Sequence, residues 1–401
     1  MRVGSSTMAS ALPLGKRRLG PCSCGTLSSL VFMVLLACTI MKRTEAQAAL
    51  SHPVLTIDMS HYGYKPVKGN DVQLVFGDIT PHLVMFSNSK AILYQTQSSG
   101  PVKVTGAGTM TAFIMNVNTG ALIRRQEWQT PGRHSVVERK ESEARIVALS
   151  DDRYAVMADA TLYFYDSDGN QLFKRPLGEG MSSMQPTEGG NELLLRHEIT
   201  IGGESRNVEY SWIDAKTMQV QGSFVDRDTD RSQAGMLGVD RVLVYRGNGG
   251  LHALSIDGKD RVICATPSCS ERGIEDIAAT SDGVAVASRF GVGVVPIDGK
   301  QPSWFRETTP NAGMDRVTVI PIETSLDGKY LAAYVSRGHR YRQFDGLELA
   351  LPSEFFVYST QDGKRVAIMP GTSAMCAMAP DGSKLISFDG RHLNVYDVVS
   401  K

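Results

Sequence analysis

One phrase recurs along this 401-residue chain and constrains its fold more than any other feature. It begins with a strand that ends in a Ser/Pro-Asp-Gly-like turn, followed by a second strand of small and apolar residues. A third strand ends in an aromatic residue or Ile followed by Asp, and a Gly turn leads into a fourth strand. The copies lie at 82–128, 144–176, 184–224, 234–266, 275–307, 320–370 and 373–401.

Seven copies at spacings of roughly 40–60 residues are typical of a radial repeat architecture. Short apolar runs bounded by Gly, Asp, Asn and Ser recur throughout, and almost no stretch has helical periodicity. The sequence therefore predicts an all-β fold, a seven-bladed β-propeller of four-stranded antiparallel blades.

The last copy, 373–401, contains three strands and no fourth. An N-terminal strand that completes this blade would close the ring and remove two exposed sheet edges. Two segments could supply it, 54–59 and 71–78, and the second is preferred because it leads directly into the next blade. The predicted domains are an N-terminal segment over 49–70 and the propeller over 71–401.

Residues 1–48 have the features of an export leader. Basic residues at 16–18 precede an uncharged run from Leu27 to Met41, and Ala46-Gln47-Ala48 offers a small-residue cleavage site. The run is short of the roughly 20 residues that a spanning helix needs. We expect cleavage after Ala48; the alternatives are lipidation at Cys38, which ends a lipobox-like Leu-Leu-Ala-Cys, and a retained anchor. The body is expected outside the inner membrane: periplasmic, at the cell envelope or secreted.

The turns and strand ends resemble those of the WD-repeat and YVTN-type propeller superfamily over 71–401. The Ser/Pro-Asp-Gly turn stands at 281–283, 326–328 and 380–382. Where that superfamily places Trp-Asp, this chain has Tyr165-Asp166, Ile213-Asp214, Ile256-Asp257, Ile297-Asp298 and Tyr396-Asp397. The superfamily's Gly-His dipeptide is absent at the matching strand starts, so the chain looks more similar to exported bacterial members. With strands lettered a to d from the axis outward, the resemblance implies that the d–a and b–c connections form one face, called the top.

Composition and motifs exclude several classes of function. Lys+Arg and Asp+Glu are 42 each, so no basic field favours nucleic acid. No metal-ligand spacing, phosphate-binding glycine loop or catalytic motif is present, and we expect no cofactor, no metal and no catalytic residue. Cys264 and Cys269 flank a span that a turn can close, and an oxidising compartment would permit a disulfide there.

Four consecutive b strands end in arginine, at Arg196, Arg246, Arg289 and Arg337. Clustered guanidinium groups suit bidentate binding of carboxylate or phosphate. A charged residue at a strand end is also an ordinary solvated position. The functional interpretation is an anion-binding arc on one half of the top.

The b–c connection of the sixth copy carries an insertion, and its sequence interleaves basic and aromatic residues, a mixture common at protein interfaces. These residues are His339, Arg340, Tyr341, Arg342 and Phe344.

Two functions from different classes remain. The first is a non-catalytic, exported propeller that binds a protein partner or an anionic ligand through its top-face loops and meets a membrane only through an N-terminal lipid anchor. The alternative is an extracytoplasmic hydrolase or lyase that uses top-face His and acidic residues. Arg196-His197-Glu198 is the contiguous candidate for it, although adjacent residues of a strand point to opposite faces.

Overall fold

A computed structural model describes sixteen stretches of the chain, all within the compact unit Ala48–Lys401. The stretches are 51–65, 81–98, 108–130, 144–178, 182–201, 205–226, 236–239, 242–247, 250–265, 274–281, 283–288, 291–299, 302–307, 316–338, 353–371 and 375–398.

The described residues form strands in groups of four, which we number as blades. Blade 1 contains β2 (His82–Met85), β3 (Lys90–Ser98), β4 (Gly108–Asn116) and β5 (Leu122–Thr130). Blade 2 contains β6 (Arg145–Leu149), β7 (Arg153–Ala158), β8 (Thr161–Tyr165) and β9 (Gln171–Pro176). Blade 3 contains β10 (Ser182–Pro186), β11 (Glu192–Ile201), β12 (Ser205–Asp214) and β13 (Val220–Asp226).

The remaining blades follow in the same order along the chain. Blade 4 contains β14 (Met236–Val239), β15 (Val242–Gly247), β16 (Gly250–Ser255) and β17 (Asp260–Cys264). Blade 5 contains β18 (Ile274–Thr280), β19 (Gly283–Ser288), β20 (Gly291–Val295) and β21 (Trp304–Glu307). Blade 6 contains β22 (Arg316–Thr324), β23 (Tyr330–Gly338), β24 (Ser353–Ser359) and β25 (Arg365–Gly371). Blade 7 contains β26 (Cys376–Met378), β27 (Lys384–Phe388), β28 (His392–Asp397) and an N-terminal strand, β1 (Leu55–Asp58).

Each blade is an antiparallel sheet, and its first strand, apart from β1, contacts the first strands of both neighbouring blades. These a strands touch in the cyclic order β2, β6, β10, β14, β18, β22 and β26, and β26 returns to β2. The seven-bladed, all-β architecture predicted from the repeats is therefore confirmed.

The identity of the N-terminal strand in blade 7 differs from the preferred prediction. β1 pairs antiparallel with β28, from Leu55 opposite Val395 to Asp58 opposite His392. The preference for 71–78 was wrong in this respect, and those residues lie outside the described part of the chain. Arg391 fixes the end of β1 through an ion pair with Asp58, whose carboxylate also caps a short 3-10 helix, Met59–Tyr62. Strand propensity does not report on an ion pair or a cap of this kind, so it could not show that β1 is the strand that joins blade 7.

Hydrophobic cores lie between neighbouring blades, one at each seam. The seam between blades 7 and 1 combines Ile57 of β1 with Phe113 and Phe388, all buried. Alternation along the b strands supplies both sides of a blade: Leu193 packs toward blade 2, whereas Leu194 packs toward blade 4. Each buried side chain of this size contributes about 1.5–3 kcal/mol.

The aspartates at the superfamily's Trp-Asp position act as turn caps. In blade 2, one carboxylate oxygen of Asp166 accepts hydrogen bonds from the backbone N–H groups of Asp168 (2.9 Å) and Asn170 (2.8 Å). In blade 3, Asp214 accepts from the N–H groups of Lys216 (3.0 Å) and Thr217 (2.6 Å). This part of the repeat therefore specifies backbone geometry rather than chemistry.

Candidate functional site

The b–c hairpins of two blades extend farther than those of the others in the described part of the chain. In blade 3, β11 and β12 have 10 residues each, and in blade 1, β3 and β4 have 9 each. The b strand of blade 6 has 9 residues, whereas those of blades 2, 4 and 5 have 6. Because a strand rises about 3.3 Å per residue, an extra 3 or 4 residues add roughly 10–13 Å. The top is therefore uneven, with the b–c hairpins of blades 1 and 3 projecting. In blade 6 the described b–c pairing covers only Tyr330–Val335 and Glu354–Ser359, and the end of its long b strand pairs with the a strand.

Arg196 lies in the middle of β11, which continues to Ile201, so the prediction that Arg196 ends this b strand was wrong. A residue of its own strand holds its side chain. Its Nη2 atom is 2.7 Å from Oε1 of Glu198, and both side chains are largely buried. Arg196 also lies beside Tyr210, opposite it on β12; burial raises the pKa of Tyr210 to about 12. The guanidinium is thus neutralised within the seam between blades 3 and 4.

Arg246 occupies the position in β15 that Arg196 occupies in β11, three residues after Leu243 and Leu193 respectively. Its Nη1 atom donates to the backbone carbonyls of Ile274 (3.2 Å) and Glu275 (3.4 Å) in the next blade. The register of β18 shifts between Ile274 and Asp276, which leaves backbone groups there without a regular ladder partner. Arg246 therefore links blades 4 and 5 at this irregularity.

The side chains of the other predicted partner-binding residues lie outside the described part of the chain. Arg337 lies in β23 with its backbone opposite Val317, and its side chain is outside the described part. The remaining ones are also outside it: Arg289, His339, Arg340, Tyr341, Arg342 and Phe344. The anion-binding arc and the interface role of the insertion stay predictions.

His197 has a hydroxyl partner that the sequence did not reveal. Its Nδ1 atom is 2.8 Å from Oγ of Ser182 on the neighbouring a strand, β10. On its other side, Glu209 of β12 is the residue directly opposite His197. Burial lowers the pKa of His197, although Glu209 and Glu198 oppose that shift. A neutral imidazole beside a hydroxyl can accept its proton. Ser182 is only 2% exposed, which restricts access of a substrate to the hydroxyl.

The inner strands bring together a charged cluster that sequence reasoning missed. We call it the channel cluster; it consists of Arg145 on β6, Asp276 on β18, Glu323 on β22 and Cys376 on β26. Arg145 lies close enough to influence both carboxyl groups, although blade 2 is separated from blades 5 and 6 around the ring. The signal was present as charged residues within predicted inner strands, but no spacing rule connects residues that far apart in sequence.

Electrostatics in the channel cluster favour protonated acids. Burial raises the pKa of Glu323 to about 8; Asp276 adds to this and Arg145 opposes it. Burial also raises the pKa of Asp276 and raises that of the Cys376 thiol well above its usual range. A thiol that resists ionisation is a poor nucleophile and a poor metal ligand.

Asp276 also has a structural role. The register of β22 shifts between Val319 and Ile322, and Oδ2 of Asp276 accepts a hydrogen bond from the Ile322 N–H at 3.0 Å. The Asp276 side chain thus bridges blades 5 and 6, as Arg246 bridges blades 4 and 5.

Among the described residues, no three or more His, Cys, Asp and Glu side chains are grouped so that they could hold a metal ion. None of the described helices has the length and apolar character that a bilayer-spanning helix needs. Cys264 is disulfide-bonded. Its partner lies outside the described part, so pairing with Cys269 remains a prediction.

Comparisons with known proteins concern the fold. No family model matches the chain, and no curated protein matches it. The structure of U3-55K is 10% identical with a TM-score of 0.48, and the match covers 83% of this chain and 98% of that one. Hsv2 of Kluyveromyces lactis is 13% identical, with a TM-score of 0.41 and coverage of 77% and 89%. BamB of Moraxella catarrhalis is 12% identical, with a TM-score of 0.38 and coverage of 87% and 98%.

Proposed function

We propose that this protein is a non-catalytic, exported scaffold that binds a protein partner through its top face. The observation that carries the proposal is the unequal length of the b–c hairpins. The hairpins of blades 1 and 3 project, so the top offers raised contacts on a rigid support. The insertion at 339–352 lies in the blade 6 connection, between β23 and β24.

Export is supported by two features of the chain. The basic residues and the apolar run within 1–48 have the order of an export leader. The disulfide at Cys264 fits an oxidising compartment. The predicted anion-binding arc makes the proposal more specific, because an acidic segment of the partner would suit arginines such as Arg289 and Arg337.

The test is affinity capture from envelope extract with the full chain and two variants. In the first variant, Gly-Asn-Gly replaces residues 339–352; in the second, Asp159→Asn alters an exposed top-side turn of blade 2 and serves as the control. We expect a specific partner with the full chain and the control, and its loss from the first variant. Equal capture by all three proteins would exclude the blade 6 hairpin as the contact.

A second candidate function rests on the hydrogen bond between Ser182 and His197. In a hydrolase of this kind, His197 would take the hydroxyl proton of Ser182 as the oxygen attacks an ester carbonyl. A fluorophosphonate probe should then label Ser182, and Ser182→Ala should abolish hydrolysis of small esters. Absence of labelling in a protein that binds its partner normally would leave the hydrogen bond as a structural contact in blade 3.

A further inference from the structure

The bottom face, opposite the projecting hairpins, is closed by hydrogen bonds between a–b turns. The N–H of Gly189 in blade 3 donates to the carbonyl of Leu326 in blade 6 at 2.6 Å. The N–H of Ser150 in blade 2 donates to the carbonyl of Gly190 at 2.9 Å. Because blades 3 and 6 are not neighbours in the ring, the first of these bonds draws one turn across the mouth of the channel.

A cavity of about 230 Å³ lies beside this contact, and turns of five blades line it. We call it the bottom pit. The apolar residues that line it are Phe86, Leu149, Leu326 and Pro380. Leu326 and Pro380 are half-buried and offer surface to a ligand, whereas Phe86 and Leu149 are fully buried. Sites for drug-sized ligands have volumes of roughly 300–1000 Å³, so the bottom pit suits a smaller group, on the scale of one long side chain.

The charged residues of the bottom pit are predominantly acidic. Asp151 and Asp152 of blade 2 and Asp327 of blade 6 line it. Asp327 is paired with Lys329, at 3.0 Å between Oδ2 and Nζ. Within the described residues, neither Asp151 nor Asp152 takes part in an ion pair or a side-chain hydrogen bond, and both are exposed. These two negative charges therefore have no cation partner among the residues that the structure describes.

A cavity lined by apolar side chains and by carboxylates suits a group that is partly apolar and partly cationic. Lys and Arg side chains have an apolar stem that packs against hydrocarbon and a cationic head that stays at the polar boundary. Asp151 and Asp152 would repel an anionic group, and a purely apolar group would make no favourable electrostatic interaction with them.

We propose that the bottom pit binds a single basic side chain, Arg or Lys, presented by a protein partner. The stem lies against Leu326 and Pro380, and the cationic head lies beside Asp151 and Asp152. This contact is on the face opposite the projecting hairpins, so it does not depend on the top-face proposal.

The test is a titration of the isotopically labelled full chain with an acetylated and amidated Gly-Arg-Gly peptide, followed through backbone amide shifts. The expected result is a saturable shift at Ser150, Asp151, Asp152 and Gly189. The same peptide with citrulline in place of Arg keeps the shape and loses the charge, and it should bind far more weakly. Affinity for the Arg peptide should also fall as salt concentration rises, because the carboxylates are exposed.

Variants separate charge from shape at the same turn. Asp151 and Asp152 have positive φ angles of 59° and 55°, a conformation that Asn adopts as readily as Asp, so the double variant Asp151→Asn/Asp152→Asn should keep the turn. It should weaken binding of the Arg peptide about fivefold, the effect of roughly 1 kcal/mol. Asp159→Asn is the matched control, since Asp159 is exposed with φ 49° in the b–c turn of the same blade, and it should change nothing.

Three results would overturn the proposal. These are equal binding of the Arg and citrulline peptides, undiminished binding by the double variant, and amide shifts that map away from the bottom pit.

Discussion

At the scale of single residues, Glu323 in the central channel couples stability to pH. The pKa of Glu323 in the folded protein is about 8, above its ordinary value of 4.5, so the folded state holds the proton more tightly. The contribution of this group to the free energy of unfolding is therefore complete below pH 4.5 and is lost as pH rises toward 8. Because Glu323 is partly accessible, we expect a loss of about 2 kcal/mol rather than the full value implied by the shift.

Glu323→Gln should remove this pH dependence, because a side-chain amide does not ionise between pH 6 and pH 9. Urea unfolding of the variant and the wild type at pH 6 and pH 9 measures it. Glu307→Gln is the control, since Glu307 lies exposed at the end of β21. An unchanged pH dependence in Glu323→Gln would show that another group is responsible.

Gly190 is a residue at which both backbone angle and space are restricted. It has φ +65°, and a Cβ atom there would lie 2.7 Å from the Ser150 nitrogen and 2.9 Å from the Leu149 carbonyl carbon. Gly190→Ala should lower the free energy of unfolding by about 3 kcal/mol, of which roughly 1 kcal/mol is backbone strain. Gly178 has φ +82° with no heavy atom within 4 Å, so Gly178→Ala should show the strain alone. Equal losses in the two variants, measured by denaturant unfolding, would mean that the turns can separate without cost.

At the scale of elements, β1 pairs with β28 of blade 7 through its backbone and buries only one of its two faces. Ile57 is 5% exposed within the seam between blades 7 and 1, whereas Thr56 is exposed. Ile57→Ala should cost about 2–4 kcal/mol through lost burial and a cavity, and Thr56→Ala should stay within about 0.5 kcal/mol. Urea midpoints of the two variants test this. A small effect of Ile57→Ala would mean that β1 contributes little to blade 7.

The repeat pattern predicted the strands and turns well, because each of them depends on residues that are close together in the sequence. Turns at 326–328 and 380–382 and the caps at Asp166 and Asp214 follow from sequence signals a few residues long. The choice of β1 over 71–78 could not be predicted in the same way. It depends on the seam that Ile57 enters and on Arg391, residues that are distant in sequence.

At the scale of the whole molecule, blade 7 depends on β1, because β26, β27 and β28 supply three of its strands and β1 supplies the fourth. Removal of residues 51–58 should expose the edge of β28, and an exposed edge pairs with other chains. We expect concentration-dependent oligomers in light scattering combined with size exclusion. Adding His392→Lys and Asn394→Lys on that edge should restore the monomer, because charge opposes edge pairing. A deletion variant that stays monomeric without the lysines would contradict this role of β1.

The candidate sites divide along the same line. Arg196 and Arg246 were singled out from the sequence as ends of apolar runs, although Arg196 lies in the middle of β11. Their partners, Glu198 and the carbonyls of Ile274 and Glu275, follow only from how the chain folds. The channel cluster and the bottom pit were not predicted, since each gathers residues from four or five blades.

The number of blades, their antiparallel order and the turn chemistry could be predicted from the amino-acid sequence, because they depend on repeats, on alternation and on Gly and Asp within short windows. Three features follow only from the folded chain: which N-terminal strand joins the last blade, which charges meet in the channel, and where a cavity remains. Those outcomes depend on distances between residues that are hundreds of positions apart, such as Asp58 and Arg391, and on burial that raises the pKa of Glu323.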